Sequence, residues 1–417
     1  MQIRLVPIVA ACLLLAAEAA SAADLSPQAS QDAVAALQTY LAAESDSRPA
    51  IDKQPFAATP LTKADAETAQ QLLWDDHVKQ IRRTRAEEMK DRRLREGKLE
   101  MPFFYEVFGD KPKTGRSLFI SMHGGGNAPK QLNDQQWENQ KHLYRPAEGV
   151  YLAPRAPTNT WNLWHEPHID RMFARLIEDL VVFEDVDPNR VYIMGYSAGG
   201  DGVYQLAPRM ADRLAAASMM AGHPNDASPL GLRNIAFAIH VGALDGGYGR
   251  NKVAAEWGKK LDDLQKADPD GYVHLVKLHE GKSHWMDRED AEAVPWMAKF
   301  TRNPLPSRVV WKQGGTTHAR FYWLAVGADD QKAGAEVTAS FAGQQITIET
   351  KDVHRLLIRF DDRMMDLDKP IKVTAGEREL FSGPAKRSIG MLARTLAEYG
   401  DPAAVSSAEV EIGLDVP

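Results

Sequence analysis

Residues 191–203, VYIMGYSAGGDGV, constrain the fold more than any other stretch of this chain. A run of β-branched, aromatic and apolar residues stops at Gly195-Tyr196-Ser197-Ala198-Gly199, and Gly200 follows. The run reads as a strand buried on both faces. The residues after it, 201–214, carry a helical pattern. A strand that passes straight into a helix needs small residues where the two backbones come close, and these glycines supply them. Either the turn is an ordinary tight connection, or it lifts Ser197 at its apex as a nucleophile, with the helix N-terminus stabilising nearby negative charge.

The surroundings favour a parallel sheet. Strands are predicted at 103–109, 116–122, 149–154, 189–197, 215–222, 234–242 and 272–281. Helical patterns fall between or after them at 168–184, 201–214, 252–267 and 287–300. Such alternation gives an α/β fold with a mostly parallel sheet covered on both faces. Functional groups then gather in the loops beyond the carboxyl ends of the strands.

Two other regions flank this one. Residues 23–98 read as a polar, helical extension, and Thr62 with Asp65 three residues on is a variant capping box. The dense charges of 62–98 read as a solvated helix face, with a partner-binding surface as the other reading. Beyond the Pro-flanked join at 303–306, short alternating strands separated by Gly, Asp and Pro predict a small antiparallel β-sandwich over 303–417, interrupted by one helix at 386–400. The expected organisation is a signal at 1–22, a helical extension at 23–98, an α/β domain at 99–302 and a β module at 303–417.

The signal is expected because Arg4 precedes a short apolar run that ends in Ala20-Ser21-Ala22, the small-residue pattern of a cleavage site. No later segment is apolar for long enough to span a bilayer. The only cysteine, Cys12, lies inside the signal, so the mature chain is expected to hold neither disulfide nor thiol chemistry. Export to a periplasm or to the exterior follows as an expectation. The net charge of −7 gives no basic surface for nucleic acid. Oligomeric state is not legible.

A serine becomes a useful nucleophile when a histidine takes its proton and a carboxylate orients that histidine. Asp245, in HVGALDGGYG, follows one predicted strand; His284, in KLHEGKSHWMD, follows the next. The glycine loop of MHGGGN follows an early strand and offers backbone N–H groups to a developing oxyanion. One donor is expected from Gly124 or Gly125, the other from Ala198. His123 is expected to be a structural hydrogen-bonding residue. Asp287 is a rival orienting acid, better explained as a cap for the next helix. Trp161 and Trp164, in TWNLWHEPHID, either line a site or pack their loop on the core. Tyr196 and Trp285 adjoin catalytic positions, and His223 ends a strand on the same side.

On HGGG, GYSAGG, the Asp245 loop and GKSHW, the chain resembles the α/β-hydrolase superfamily, in its esterase and polyester-depolymerase-like branch. The likeness covers roughly residues 101–300. It implies a serine hydrolase of esters that needs no cofactor, with Ser, Asp and His in that chain order. Its substrate would be an ester, with polymeric, aryl or sugar-bearing esters all open. A serine peptidase shares the triad, and an inert core acting through the β module is the rival outside enzymes.

Two further motifs fail. His165 to His168, HEPH, looks like half a zinc motif, but Pro167 breaks the helix such a motif needs and the spacing is one residue short. With Asp170 it still offers a possible metal cluster; no metal is expected. GKS at 281–283 lacks the upstream glycine of a phosphate loop, where Val276 stands.

Overall fold

The computed structural model describes residues 26–414. The expected signal, with Cys12, lies outside the described residues. Among the described residues no helix is long and apolar enough to cross a membrane.

Helix α1 (Pro27–Ala42) is followed, after short 3₁₀ turns, by α2 (Lys63–Asp91). Thr62 caps α2 as expected, its Oγ1 accepting from the Asp65 N–H. The helix was expected to run on towards 98 but stops at Asp91. Arg92 turns left-handed (φ 51°), and β1 (Arg93–Glu96) pairs antiparallel with β2 (Leu99–Phe108) around Gly97, at φ 60°. A polar hairpin turn was hidden there behind a run of good helix formers. The charges of α2 also differ from expectation. Many pair across to a neighbouring helix: Arg85 Nη1 lies 2.5 Å from Glu178 and 2.9 Å from Asp179, His77 lies 2.6 Å from Glu178, and Arg175 lies 2.5 Å from Glu88.

The central sheet continues with β3 (Arg116–Met122), β4 (Gly149–Pro154), β5 (Val186–Tyr196), β6 (Ala216–Met220), β7 (Ala236–Gly242) and β8 (His274–His279). Its order is β1-β2-β4-β3-β5-β6-β7-β8. Every pairing from β4 to β8 is parallel; at one edge β2 alone runs against the others, pairing antiparallel with both β4 and β1. The helices are α3 (Lys130–Gln140), α4 (Pro167–Phe183), α5 (Ala198–Arg209), α6 (Arg250–Ala267) and α7 (Ala293–Met297).

Side chains alternate across each strand and build two cores. Ile193, Ile239 and Val241 pack with Leu176 of α4, Val203 of α5 and Trp257 of α6. Tyr192, Met194 and Ala236 pack with Val294 and Met297 of α7, with Trp137 of α3 against them. This is the α/β-hydrolase architecture. Two helices depart from the sequence reading. α3 (KQLNDQQWENQ) was not anticipated because it has too few apolar residues to show a period. The helix expected at 287–300 reduces to a 3₁₀ turn at Glu289–Glu292 and the short α7.

Beyond residue 302 come β9 (Arg308–Lys312), β10 (Arg320–Phe321), β11 (Leu324–Ala325), β12 (Glu336–Ala342), β13 (Gln345–Lys351), β14 (Arg355–Phe360), β15 (Ile371–Ala375), β16 (Arg378–Gly383), α8 (Ile389–Tyr399) and β17 (Ala408–Gly413). They form a five-stranded sheet, β16-β15-β13-β12-β9, and a four-stranded sheet, β10-β11-β14-β17. The expected antiparallel pattern holds except between β13 and β15, which are parallel. The reason is connectivity: β14 crosses to the other sheet, so β15 returns beside β13 in the same direction.

This region docks at the carboxyl end of α5. Tyr322 donates its hydroxyl to Ala211 O (2.9 Å), Arg213 donates to Tyr399 O (3.0 Å), and the buried Arg302 and Asp401 pair at 2.6 Å. α8 faces the first helices instead. Its Ile389, Leu392 and Leu396 form one apolar cluster with Leu37, Leu61 and Leu73.

Candidate active site

Ser197 sits where β5 ends and α5 begins, at φ 56° and ψ −119°. A β-carbon residue in this region is strained, and the neighbouring contacts hold it there. The Ser197 N–H donates to Met220 O (2.9 Å), and its carbonyl accepts from the Asp201 N–H (3.0 Å). The flanking glycines are demanded by packing. A β-carbon on Gly195 would lie 2.3 Å from Gly199 O, and one on Gly199 would lie 2.2 Å from Met122 O.

The loops after β7 and β8 bring the other two groups. His284 Nε2 lies 3.0 Å from Ser197 Oγ, and His284 Nδ1 lies 2.8 Å from Asp245 Oδ2. Asp245 is buried, and the Asn251 N–H donates to its carbonyl (3.1 Å). Asp287 is not in this line. It pairs with Lys282 at 2.8 Å, stands at φ 53°, and caps no helix, contrary to the role expected from the sequence.

The glycine loop after β3 packs beside Ser197. A β-carbon on Gly124 would stand 3.3 Å from the Ser197 β-carbon, and Gly125 and Gly126 take φ 109° and 82°. His123 anchors this loop. It is fully buried, its Nδ1 donates to Gly124 O (2.6 Å) and its Nε2 accepts from the Ala156 N–H (3.1 Å). Burial pushes its pKa down to about 3, so it stays neutral, as a structural residue should. Asn133 of the unanticipated α3 braces the same loop, accepting from the Gly126 N–H at 2.8 Å. The amides of Gly125 and Ala198 have no hydrogen-bond partner among the described residues.

Two cavities meet at Ser197 and His284. One, of about 610 Å³, is walled by Leu132, Gln136, Leu143, Tyr196 and Trp285. The other, of about 490 Å³, is walled by Trp161, Asp201, His223, Asn225, Tyr248 and Arg250. The first is largely apolar; the second mixes aromatic and polar groups. Trp161, Tyr248 and Trp285 are 59%, 83% and 48% exposed and stand on the rim. Asp201 lies one turn into α5, accepts from the His223 N–H at 2.6 Å, and has its pKa raised by burial.

Of the residues singled out from the sequence, Trp161, Tyr196, His223 and Trp285 reach a cavity wall. Tyr196 does so with its hydroxyl engaged: it donates to His284 O (2.6 Å) and accepts from the Met286 N–H (3.0 Å), so it positions the histidine loop. Trp164 does not reach the site. It is fully buried, and its Nε1 donates to His123 O at 2.9 Å, behind the glycine loop. Gly202 of α5 packs against it: a β-carbon there would lie 2.5 Å from the Trp164 β-carbon. Leu132, Asp201, Tyr248 and Arg250 were missed. Tyr248 and Arg250 had a usable signal, since they follow Asp245 in the loop that must face Ser197.

Among the described residues, the HEPH segment and Asp170 do not bring three ligand atoms together. Pro167 opens α4, and Asp170 gives its two oxygens to Arg209 (2.8 and 2.6 Å), with His318 3.1 Å away.

A parallel sheet with its serine after β5, its aspartate after β7 and its histidine after β8 defines an α/β-hydrolase fold carrying a Ser-His-Asp arrangement. Comparison with known proteins adds distant likenesses. A protein named Putative esterase NocK, from Nocardia uniformis subsp. tsuyamanensis, is 30% identical over 131 residues, covering 28% of this chain and 37% of that protein. This chain therefore spans little more than a third of that relative. Among solved structures, a thermostable esterase is 19% identical over 50% of this chain and 62% of its own, with a TM-score of 0.39. A Bacillus cereus carboxylesterase is 15% identical over 48% of this chain and 94% of its own, with a TM-score of 0.35. No family model matches the chain.

Proposed function

We propose that this chain is a serine hydrolase that cleaves carboxylic esters. One observation carries the reading: Ser197, His284 and Asp245 stand in an unbroken line of hydrogen bonds, 3.0 and 2.8 Å long. In the proposed reaction His284 Nε2 takes the hydroxyl proton while Ser197 Oγ attacks the ester carbonyl. Asp245 holds the ring with Nδ1–H towards itself and stabilises the imidazolium. The amides of Ala198 and of Gly124 or Gly125 receive the oxyanion. His284 then returns the proton to the departing alcohol. Water next gives a proton to His284 and attacks the acyl-enzyme; the bond from the acyl carbon to Ser197 Oγ then breaks, His284 returns the proton to Oγ, and the acid leaves.

The rim of Trp161, Tyr248 and Trp285 supports a substrate with a flat aryl or sugar group, free or within a polymer, since such faces stack on exposed rings. An exported mature chain is part of the proposal, motivated by Arg4, the apolar run and Ala20-Ser21-Ala22. The test is fluorophosphonate labelling followed by peptide mapping, with a panel of aryl acyl esters, acylated sugars, a polyester film and a peptide anilide. The expected result is one label on Ser197 and turnover of at least one ester. A folded protein that neither labels there nor cleaves any ester refutes the proposal, and turnover confined to the anilide replaces it with a peptidase.

A further inference from the structure

Beneath the catalytic loops, on the face covered by α7, two histidines meet. His240 lies on β7 and His279 ends β8, and both are buried. Their ring nitrogens, His240 Nδ1 and His279 Nε2, stand 3.1 Å apart. Glu292, from the 3₁₀ turn before α7, brings Oε1 to 3.7 Å from His240 Nδ1. All three ligand atoms lie within 4.8 Å of one another.

We propose that His240, His279 and Glu292 bind a divalent transition metal of the zinc type, as a structural ion. Ligands about 2.0–2.1 Å from a tetrahedral zinc are about 3.3 Å from each other, and the separations of 3.1 and 3.7 Å bracket that edge. The outer partner is present as well. His279 Nδ1 lies 3.1 Å from Glu289 Oε2, the carboxylate that fixes the tautomer and turns Nε2 towards the ion. Two imidazoles and one carboxylate suit zinc far better than calcium or magnesium, which take oxygen ligands. Glu292 is partly exposed, so the ion has a way in, and the fourth position would fall to a water entering from that side. Lys277 is the competitor: its Nζ lies 2.5 Å from Glu292 Oε1 and, being half exposed, swings out when the ion enters.

The place gives the ion a role apart from the chemistry. His240 precedes Asp245 by five residues, and His279 precedes His284 by five. A metal here ties the ends of β7 and β8 to the α7 turn, just below the loops that hold the acid and the base.

The test is calorimetric titration of the chelator-treated, tag-free full chain with zinc chloride, beside thermal unfolding with and without zinc. Saturable one-to-one binding and a raised unfolding midpoint are expected. Glu292→Gln, a change at a partly exposed side chain, should weaken binding at least about 10-fold, since losing even an outer partner costs that much. Lys277→Ala should leave binding equal or tighter. No saturable binding, or binding that Glu292→Gln leaves unchanged, overturns the proposal. Because the readout is binding, the result is independent of whether the chain cleaves esters.

Discussion

The sharpest test of the site is a comparison of two asparagines. Asp245→Asn keeps the shape of a buried side chain 2.8 Å from His284 Nδ1, but it can present an N–H where the carboxylate presented only lone pairs. The imidazole then answers with an unprotonated Nδ1 and carries its proton on Nε2. That nitrogen faces Ser197 Oγ at 3.0 Å and can no longer accept from it. The loss expected for a wrong tautomer is about 10⁴-fold in rate, or about 5.5 kcal/mol of barrier. Asp287→Asn removes one surface contact to Lys282, which Glu289 still holds at 3.0 Å. An exposed ion pair is worth about 1 kcal/mol or less in stability, and nothing connects it to the histidine ring. The assay is initial-rate hydrolysis of one soluble aryl ester by both proteins, each checked for folding by circular dichroism. A large loss in Asp287→Asn with Asp245→Asn near wild type would refute the reasoning, as would two variants that are both near wild type.

Ser197→Ala should keep the fold and lose about 10⁴-fold or more in turnover; near-normal rates in the folded protein would remove the nucleophile from its post. Tyr196→Phe strips the hydroxyl that joins His284 O to the Met286 N–H; we expect kcat to fall about 10-fold to 100-fold with KM little changed, and stability to fall by about 1–3 kcal/mol from the buried groups left unpaired. A stable Tyr196→Phe protein with unchanged kcat would deny it a positioning role. Initial ester turnover should persist in EDTA, because no step of the proposed reaction uses a metal; activity lost with chelator and restored by zinc, with the unfolding midpoint unchanged throughout, would put an ion into the chemistry. Asp179 gives a pH test: burial lifts its pKa from 3.8 to about 6 despite Arg85. A carboxyl raised in the folded state contributes stability below its unfolded pKa and loses it as pH rises through the folded one. Relative to Asp179→Asn, the natural chain should therefore lose up to about 3 kcal/mol between pH 4 and 7 in urea unfolding; a gap that is flat or widens the other way would show that Arg85 outweighs burial.

What could be read from the sequence was what local pattern and chain order determine. The strand before Gly195, the glycines that pack against Met122 and Gly199, and the Ser, Asp, His order each follow from a short stretch and its neighbours. The failures share a cause. Trp164 differs from Trp161 only in which way the loop turns it, and a loop has no period from which to infer direction. α3 has too polar a surface to show a helical stripe, yet its Asn133 braces the glycine loop. The charges of α2 looked solvated because their partners Glu178 and Asp179 are more than ninety residues away. His240 and His279 stand thirty-nine residues apart and become neighbours only through the β7–β8 pairing.

The cluster that joins α8 to α1 and α2 has a consequence for the order of assembly. Gln70 donates to Pro402 O across 332 residues of chain, and Leu37 and Leu73 share their apolar contacts with Leu392 and Leu396. Ribosomal synthesis runs from the amino end, so α1 and α2 emerge well before the surface of α8 that covers them. Closing so long a loop is slow, and during that interval the apolar side of α1 has no cover from α8. Helices made early are thus completed late, and a chain cut short before residue 389 would leave α1 and α2 without the partner that finishes them.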